Sequence, residues 1–281
     1  MFKDIKQVMK DSVLYGIGNV AVKLVGFILI PLYTDAEYFS TADYGLMGLL
    51  EVTSQILIAV MGLSLYSGLI RWYWDAEYRD KQKTIFFTTL LFTILTSLCI
   101  GSVLWLNVGE LSALLVQQEG YSLGGELPYI LQLLILTSML GAVVEVPQNL
   151  LRLQRKPIYY SLTNIVRLFV TLVLTIYFTI SLHRGVSGVY EAQLVGIVIQ
   201  LLMVLPLVIK NSSCRVDRRC TIQLLAYSYP LVFPAIVGSL LTVFDRYIIN
   251  HFQGLDDVGF YSLGYKVGNT LKVFIVTSVQ L

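Results

Sequence analysis

Among the ionisable side chains inside long apolar stretches of the chain are these eight: Lys23, Glu51, Glu145, Arg167, Asp245, Arg246, Lys266 and Lys272. A charge at the centre of a bilayer costs at least about 2.5–3.5 kcal/mol, so groups of this kind pair with one another or face water. The chemistry open to them is the binding and exchange of ions, not covalent catalysis. Five are cationic and three anionic, an excess of two positive charges, and an interior of that sign favours an anionic passenger. Depths judged at about 1.5 Å per residue put Glu145 and Arg167 in the inner half of neighbouring helices. The same measure puts Asp245 and Lys266 in an outer third, with Lys23 near mid-depth below Glu51. Each of these pairs can equally be an ion pair that holds helices together. Arg246 and Lys272 have no evident acidic partner, and Arg246 is close enough to a helix end to snorkel to the interface. Arg246 and Lys272 are therefore candidate substrate-binding cations on charge alone. Glu51, Asp245, Glu145 and Arg167 are the candidate coupling or ion-pair groups.

The elements that must position these groups are membrane helices. Of the 281 residues, 56% are hydrophobic and only 14% charged, against about 25% charged in a soluble domain; the mean hydropathy is +0.72. Eight apolar segments lie at about 12–34, 45–70, 84–106, 127–151, 158–183, 187–209, 221–250 and 258–281. Each is near the roughly 20 residues needed to span about 30 Å of hydrocarbon. The expected fold is all-α and polytopic, with about eight transmembrane helices. The stretch 107–126 reads as a surface loop. Pro230 and Pro234, four apart in the seventh segment, should kink or break it, and Pro147 should act similarly in the fourth.

Orientation follows from Lys and Arg. With the N-terminus inside, the inner segments hold Lys3, Lys6, Lys10, Arg71, Arg79, Lys81, Lys83, Arg152, Arg155, Lys156, Lys210, Arg215, Arg218 and Arg219, and the outer ones only Arg184. That asymmetry predicts a cytoplasmic N-terminus, with Trp72 and Trp74 at the inner interface and Trp105 at the outer. The N-terminal apolar run is too long for a signal-peptide core and has no small-x-small cleavage site, so it reads as a retained first helix.

Other chemistries find little support. The net charge of +2 carries no nucleic-acid meaning. Cys99, Cys214 and Cys220 form no disulfide framework, and His183 and His251 form no ligand cluster. No P-loop, metal motif or Ser-His-Asp constellation is present. Gly16-Ile-Gly18 fits close helix packing, and Asn211-Ser-Ser213 would lie on the cytoplasmic side. Asp35 and Glu37, in the first outer loop, could serve a membrane glycosyltransferase as an acidic base, but no large acceptor-binding loop accompanies them.

An internal repeat is visible. Phe39-x3-Asp43-Tyr-Gly45 opens the second segment, and Phe252-x3-Asp256-Asp-Val-Gly259 opens the eighth with one residue inserted. Six helices apart, the two hairpins share an orientation, as parallel repeats do, and transporters commonly hold substrate between such halves. Residues 1–220 are accordingly read as a six-helix N-terminal lobe. Residues 221–281 are read as the first hairpin of a second lobe, truncated because the last segment stops at Val279-Gln280-Leu281 without a basic or aromatic stop.

Several of these stretches carry a resemblance. Tyr15-Gly-Ile-Gly-Asn, Gly26-Phe-Ile-Leu-Ile-Pro-Leu-Tyr33, Phe39-Ser-Thr-Ala-Asp-Tyr-Gly45, Gly62-Leu-Ser-Leu with Arg71, Phe244-Asp-Arg-Tyr-Ile and Asp257-Val-Gly-Phe-Tyr-Ser-Leu are similar to the lipid-linked oligosaccharide flippases of O-antigen and capsule synthesis. That family lies within the multidrug/oligosaccharidyl-lipid/polysaccharide exporter superfamily. The resemblance implies two six-helix lobes around a cationic cavity, alternating access and an undecaprenyl-pyrophosphate-linked glycan as substrate. By position, Lys23 and Lys266 match where such proteins place cavity cations. It further implies a bacterial inner-membrane setting and polysaccharide-assembly proteins as partners. No cofactor is expected, and H+ or Na+ coupling through Glu51 or Asp245 is open. A multidrug or cation antiporter of the same superfamily is the alternative, and it should show an excess of cavity carboxylates.

Overall fold

The computed structural model describes residues 28–115, 125–213 and 215–279, without the side chains of 242, 243 and 270–279. Lys23, the three N-terminal lysines, the Gly16–Gly18 motif and Cys214 therefore lie outside the described residues. Of Lys272 only the helical backbone is described.

Every regular element among the described residues is helical, as a solvent without hydrogen-bond partners requires of a single chain crossing it. In chain order they are α1 (Ile30–Tyr33), α2 (Thr41–Gly62), α3 (Leu65–Trp72), a 3₁₀ turn at Ala76–Lys81, α4 (Gln82–Leu106), α5 (Val108–Leu115), α6 (Leu127–Leu153), α7 (Pro157–Ile176), α8 (Gly185–Asn211), α9 (Arg218–Gln253) and α10 (Leu255–Val279). A wide π-type turn, Tyr177–Ser181, extends α7. Among the described residues six helical stretches are long and apolar enough to cross a membrane: Thr41–Gly62, Ala76–Leu106, Leu127–Leu153, Pro157–Ser181, Gly185–Asn211 and Arg218–Leu241. The chain is an all-α polytopic membrane protein.

Local chemistry explains the helix ends. Ser40 and Asp43 form a reciprocal capping box: the Ser40 N–H donates to Asp43 Oδ2 at 2.9 Å and the Asp43 N–H to Ser40 Oγ at 3.1 Å. Two donors with no intrahelical acceptor are thereby satisfied at the start of α2. α6 ends in a Schellman turn, with Lys156 N–H on Leu151 O at 2.9 Å and Arg155 N–H on Arg152 O at 3.0 Å. Arg155 takes the left-handed position at φ 51°, and Pro157 then opens α7. Asp217 caps α9 by accepting the N–H groups of Arg219 and Cys220 at 2.9 and 3.3 Å. Its carboxylate also takes Lys81 Nζ at 2.6 Å. The Lys81 ammonium, with the two amides, holds the Asp217 carboxyl below the usual carboxylate range.

Three expectations are corrected. The second apolar segment is not one helix: Leu63 and Ser64 both adopt left-handed backbone, φ 45° and 51°, and separate α2 from α3. The break is sealed by side chains, because Thr96 Oγ1 donates to the freed Met61 carbonyl at 2.7 Å. Ser64 Oγ donates to Leu231 O at 3.4 Å. Conversely, Pro230 and Pro234 do not break α9, which runs through both, and α6 runs through Pro147. A proline removes one donor and crowds one carbonyl, and neighbouring helices can make that tolerable. The stretch 107–126 is not wholly loop, since it begins with α5, whose Val108 and Leu115 are buried.

The contacts gather into two compact units. One comprises the described residues up to Val52, Pro157–Gly196 and those from Val243 onward; the other comprises Thr53–Lys156 and Ile197–Thr242. In the second unit, small residues allow close crossings, as in membrane bundles generally. A Cβ on Gly101 would collide with Met139, and one on Gly141 would meet Ile58 at 3.1 Å. Ser54 and Ser138 hydroxyls bond at 3.0 Å. Down the buried face of α4, Thr89 and Thr93 return their hydroxyls to the carbonyls of Ile85 and Thr89, both at 2.9 Å. These polar groups are thus satisfied without a partner helix.

Candidate functional site

In the first unit, the two copies of the repeated motif meet. A Cβ on Gly45 would collide with the Leu255 carbonyl oxygen. One on Gly259 would lie 2.5 Å from the Thr41 carbonyl oxygen and 3.4 Å from Gly45 N. Thr41 and Leu255 are the first residues of α2 and α10, and the two glycines follow them by the same four residues. The crossing is therefore reciprocal: each helix lays its fifth residue on the first carbonyl of the other. One turn on, Gly48 faces Ser262, again with no room for a Cβ. The motif's spacing has a physical meaning, since a backbone-to-backbone approach admits only glycine.

The close crossing brings α9 and the charged groups to the same place. Arg246 is 8% exposed, and its Nη1 donates to the Gly48 carbonyl at 3.1 Å. Its guanidinium lies 5.1 Å from the Tyr265 ring centroid. Arg246 thus points into the unit and does not snorkel. The adjacent Asp245 carboxylate accepts the Tyr261 hydroxyl and, at 2.9 Å, the Arg246 backbone N–H. Lys266 Nζ stands 3.9 Å from Glu51 Oε2, in a pair whose side chains keep 32% and 53% of their exposure. The ammonium also lies 5.7 Å from the Tyr33 ring and 5.6 Å from the Tyr44 ring. Tyr33 and Tyr44 are themselves buried, with ring centroids 6.2 Å apart. Ring faces attract a cation without neutralising it, and the charge facing Lys266 is the Glu51 carboxylate. Two buried hydroxyls, Tyr44 Oη and Ser262 Oγ, have no partner among the described residues.

Depth along the helices places Asp245 and Lys266 at one level; the structure adds Glu51 as a partner of Lys266 and Tyr261 as a partner of Asp245. Glu145 lies in the second unit, on α6, where its backbone carbonyl accepts Asn149 Nδ2 at 3.0 Å. Arg167 lies in the first unit, on α7, whose carbonyl at that residue would stand 3.2 Å from a Cβ on Gly196. The side chains described at the sites of interest carry three cations, Arg167, Arg246 and Lys266, and three anions, Glu51, Glu145 and Asp245. The expected positive excess therefore rests on Lys23 and Lys272. Tyr33, Tyr44, Tyr261, Tyr265, Gly48 and Ser262 belong to the cluster although nothing singled them out as site residues. The signal for two of them was present: Gly48 and Ser262 each stand three residues after a repeat glycine. Asp35 is a turn residue, its Oδ1 accepting the Glu37 N–H at 3.0 Å.

Chemically, the arrangement is suited to exchange of counter-ions. Lys266 is held by one loose carboxylate and two ring faces, and an arriving anion could replace the carboxylate without leaving the ammonium bare. Arg246, bound to a backbone carbonyl, keeps other donors of its planar fork.

The fold is that of the transporters of the MOP superfamily. Superposition on a MATE transporter in complex with MaD3S gives a TM-score of 0.74 at 15% identity, covering 95% of this chain and 62% of that one. An outward-facing multidrug resistance MATE family transporter of the MOP superfamily gives 0.70 at 17%, covering 96% and 61%. A MOP superfamily transporter from Pyrococcus furiosus, described by the reverse polarity of its binding pocket as suggesting a different function, gives 0.70 at 16%, covering 94% and 61%. The chain thus spans about three-fifths of the length of these structures. No curated protein sequence matches it significantly. The family described as polysaccharide biosynthesis protein matches residues 8–281, and the chain belongs to that family.

Proposed function

We propose that this protein acts in moving an undecaprenyl-pyrophosphate-linked oligosaccharide from the inner to the outer leaflet of a bacterial cytoplasmic membrane. The family membership supports a polysaccharide precursor as cargo, and the transporter fold supports movement without covalent chemistry. One observation carries the reading: in one unit Lys266 and Arg246 both lie against tyrosine rings, and the loose pair with Glu51 leaves Lys266 an exchangeable counter-ion. In this reading the pyrophosphate displaces Glu51 from Lys266, and Lys23 and Lys272 supply further positive charge. The lipid tail stays in the bilayer while the head passes. Differential binding to two cavity states drives the change between them. The N-terminus is cytoplasmic, the chain contributes a six-helix lobe (1–220) and the first hairpin of a second (221–281), and polysaccharide-assembly proteins are its partners.

The equal share of carboxylates in the cluster, Glu51 and Asp245 beside Arg246 and Lys266, favours a second reading as a cation or drug antiporter coupled to H+ or Na+. Glycan export in cells complemented with Lys266→Ala, Lys266→Arg and Glu51→Gln separates the two. The flippase reading expects export to fall at least tenfold in Lys266→Ala and to recover in Lys266→Arg. Unchanged export in Lys266→Ala, together with drug resistance lost in Glu51→Gln, would establish the antiporter instead.

A further inference from the structure

The second unit contains an apolar groove that the transport reading does not use. It is a cavity of about 430 Å³ lined by Leu63, Leu65, Leu225, Ala226, Tyr229 and Val232, within the range of about 300–1,000 Å³ usual for small-ligand sites. Leu225, Ala226, Tyr229 and Val232 recur at one, four and seven residues along α9, the spacing of a single helix face. The opposite wall exists because the chain breaks at Leu63 and Ser64, both left-handed. A continuous helix would have carried Leu63 and Leu65 round to different faces. Two adjacent left-handed, non-glycine residues are costly, and here Ser64 Oγ is tied to the Leu231 carbonyl of α9 at 3.4 Å.

What the groove would hold follows from its depth and from the charge above it. α9 begins at Arg218, and the lining residues begin seven residues and end fourteen residues farther on. At a rise of about 1.5 Å per residue they lie roughly 10–21 Å below that end, the depth of an acyl chain in one leaflet of a hydrocarbon core about 30 Å thick. The end itself is cationic. Arg215, Arg218 and Arg219 are exposed there, and Arg71 is exposed at the end of α3, which meets α9 farther down through the Trp72–Tyr227 ring contact, 5.2 Å between centroids. Arg219 is paired with Glu77 at 3.2 Å and Lys81 with Asp217. Arg71, Arg215 and Arg218 have no ion pair among the described residues. The rings of Trp72 and Tyr227 meet beside the groove, and Tyr229 lines it.

We propose that this groove binds one anionic glycerophospholipid, with an acyl chain against Leu225, Ala226, Tyr229 and Val232 and the phosphate at the Arg215 and Arg218 rim. A zwitterionic lipid would fill the groove equally well but gain nothing from the rim. Each basic residue near an anionic headgroup is worth about fivefold in binding, so the selectivity lies in the arginines and the occupancy in the groove.

The test uses Trp72 as reporter in a Trp74→Phe/Trp105→Phe background, reconstituted in nanodiscs that contain a minor fraction of dibrominated phosphatidylglycerol or dibrominated phosphatidylcholine. The proposal expects stronger quenching by the brominated phosphatidylglycerol at equal mole fraction. Ala226→Phe, which fills the groove, should abolish the difference, and Arg215→Gln/Arg218→Gln should cut the preference roughly twenty-five-fold. A circular-dichroism melt confirms that each variant is folded. Equal quenching by the two lipids would overturn the proposal, as would a preference untouched by Ala226→Phe. Displacement of the bromolipid by polyprenyl phosphate but not by unbrominated phosphatidylglycerol would also overturn it, and would assign the groove to a carrier lipid. None of these readouts depends on glycan export, so they stand or fall apart from the transport reading.

Discussion

The reciprocal glycine crossing makes a quantitative prediction. In Gly259→Ala, the new Cβ starts 2.5 Å from the Thr41 carbonyl oxygen and 3.2 Å from Thr41 Cγ2, where ordinary contact begins at 3.4 Å. The obstruction is backbone and cannot rotate aside, so α2 and α10 must part locally by about 0.9 Å. Overpacking of this kind costs about 1–3 kcal/mol. Gly45→Ala meets the Leu255 carbonyl oxygen and carbon at still closer range and should cost more. Because both alanines push apart the same two helices, the second should cost less once the first is present. The double variant should therefore fall short of the sum by at least about 0.5 kcal/mol. Gly264→Ala is the control: it lies on α10 with nothing within 4 Å of its Cβ and should stabilise by about 0.5–1 kcal/mol through helix propensity. Reversible unfolding in mixed micelles, followed by circular dichroism, measures all four variants. Wild-type stability in Gly259→Ala, or strict additivity in the double variant, would refute the crossing.

Three further outcomes are expected. Thr96→Val removes the hydroxyl that satisfies the Met61 carbonyl at the break between α2 and α3, and should cost about 1–3 kcal/mol in the same unfolding measurement, as loss of a buried partner does. Arg155→Gly relieves a left-handed residue at φ 51° and should stabilise by about 1 kcal/mol, read as a raised midpoint of unfolding. Asp217, whose folded-state carboxyl is held low by Lys81, contributes stability that is fully present above its unfolded value of about 3.9. That contribution is lost as pH falls through the lower folded value, so Asp217→Asn should flatten the fall in stability below about pH 4. An identical acid limb in wild type and variant would remove Asp217 from the account.

Membrane character and all-α class were legible along the chain because length and hydropathy are properties of a segment by itself. The segments at 84–106, 127–151 and 187–209 became α4, α6 and α8 with ends shifted by only a few residues. The pair of repeat motifs was legible as well, since a glycine four residues into a helix leaves a mark in sequence. What the motif did there was not. Only the fold shows Gly45 and Gly259 laid on each other's opening carbonyls.

Charge partners were the least legible. Counting residues gives the height of a side chain along its helix but not its bearing around the axis, so Asp245 and Lys266 share a level while the carboxylate 3.9 Å from Lys266 is Glu51. The break at Leu63–Ser64 and the unbroken run through Pro230 and Pro234 fail to show for a related reason. A backbone group without its helical partner is tolerated or not according to what stands beside it, and Thr96, thirty-five residues from Met61, is near only after folding. By themselves the residues decided the solvent, the helices and the repeat. Tertiary structure decided which charges meet, because rotation and crossing angle are set by the packing of one helix on another and by nothing within either.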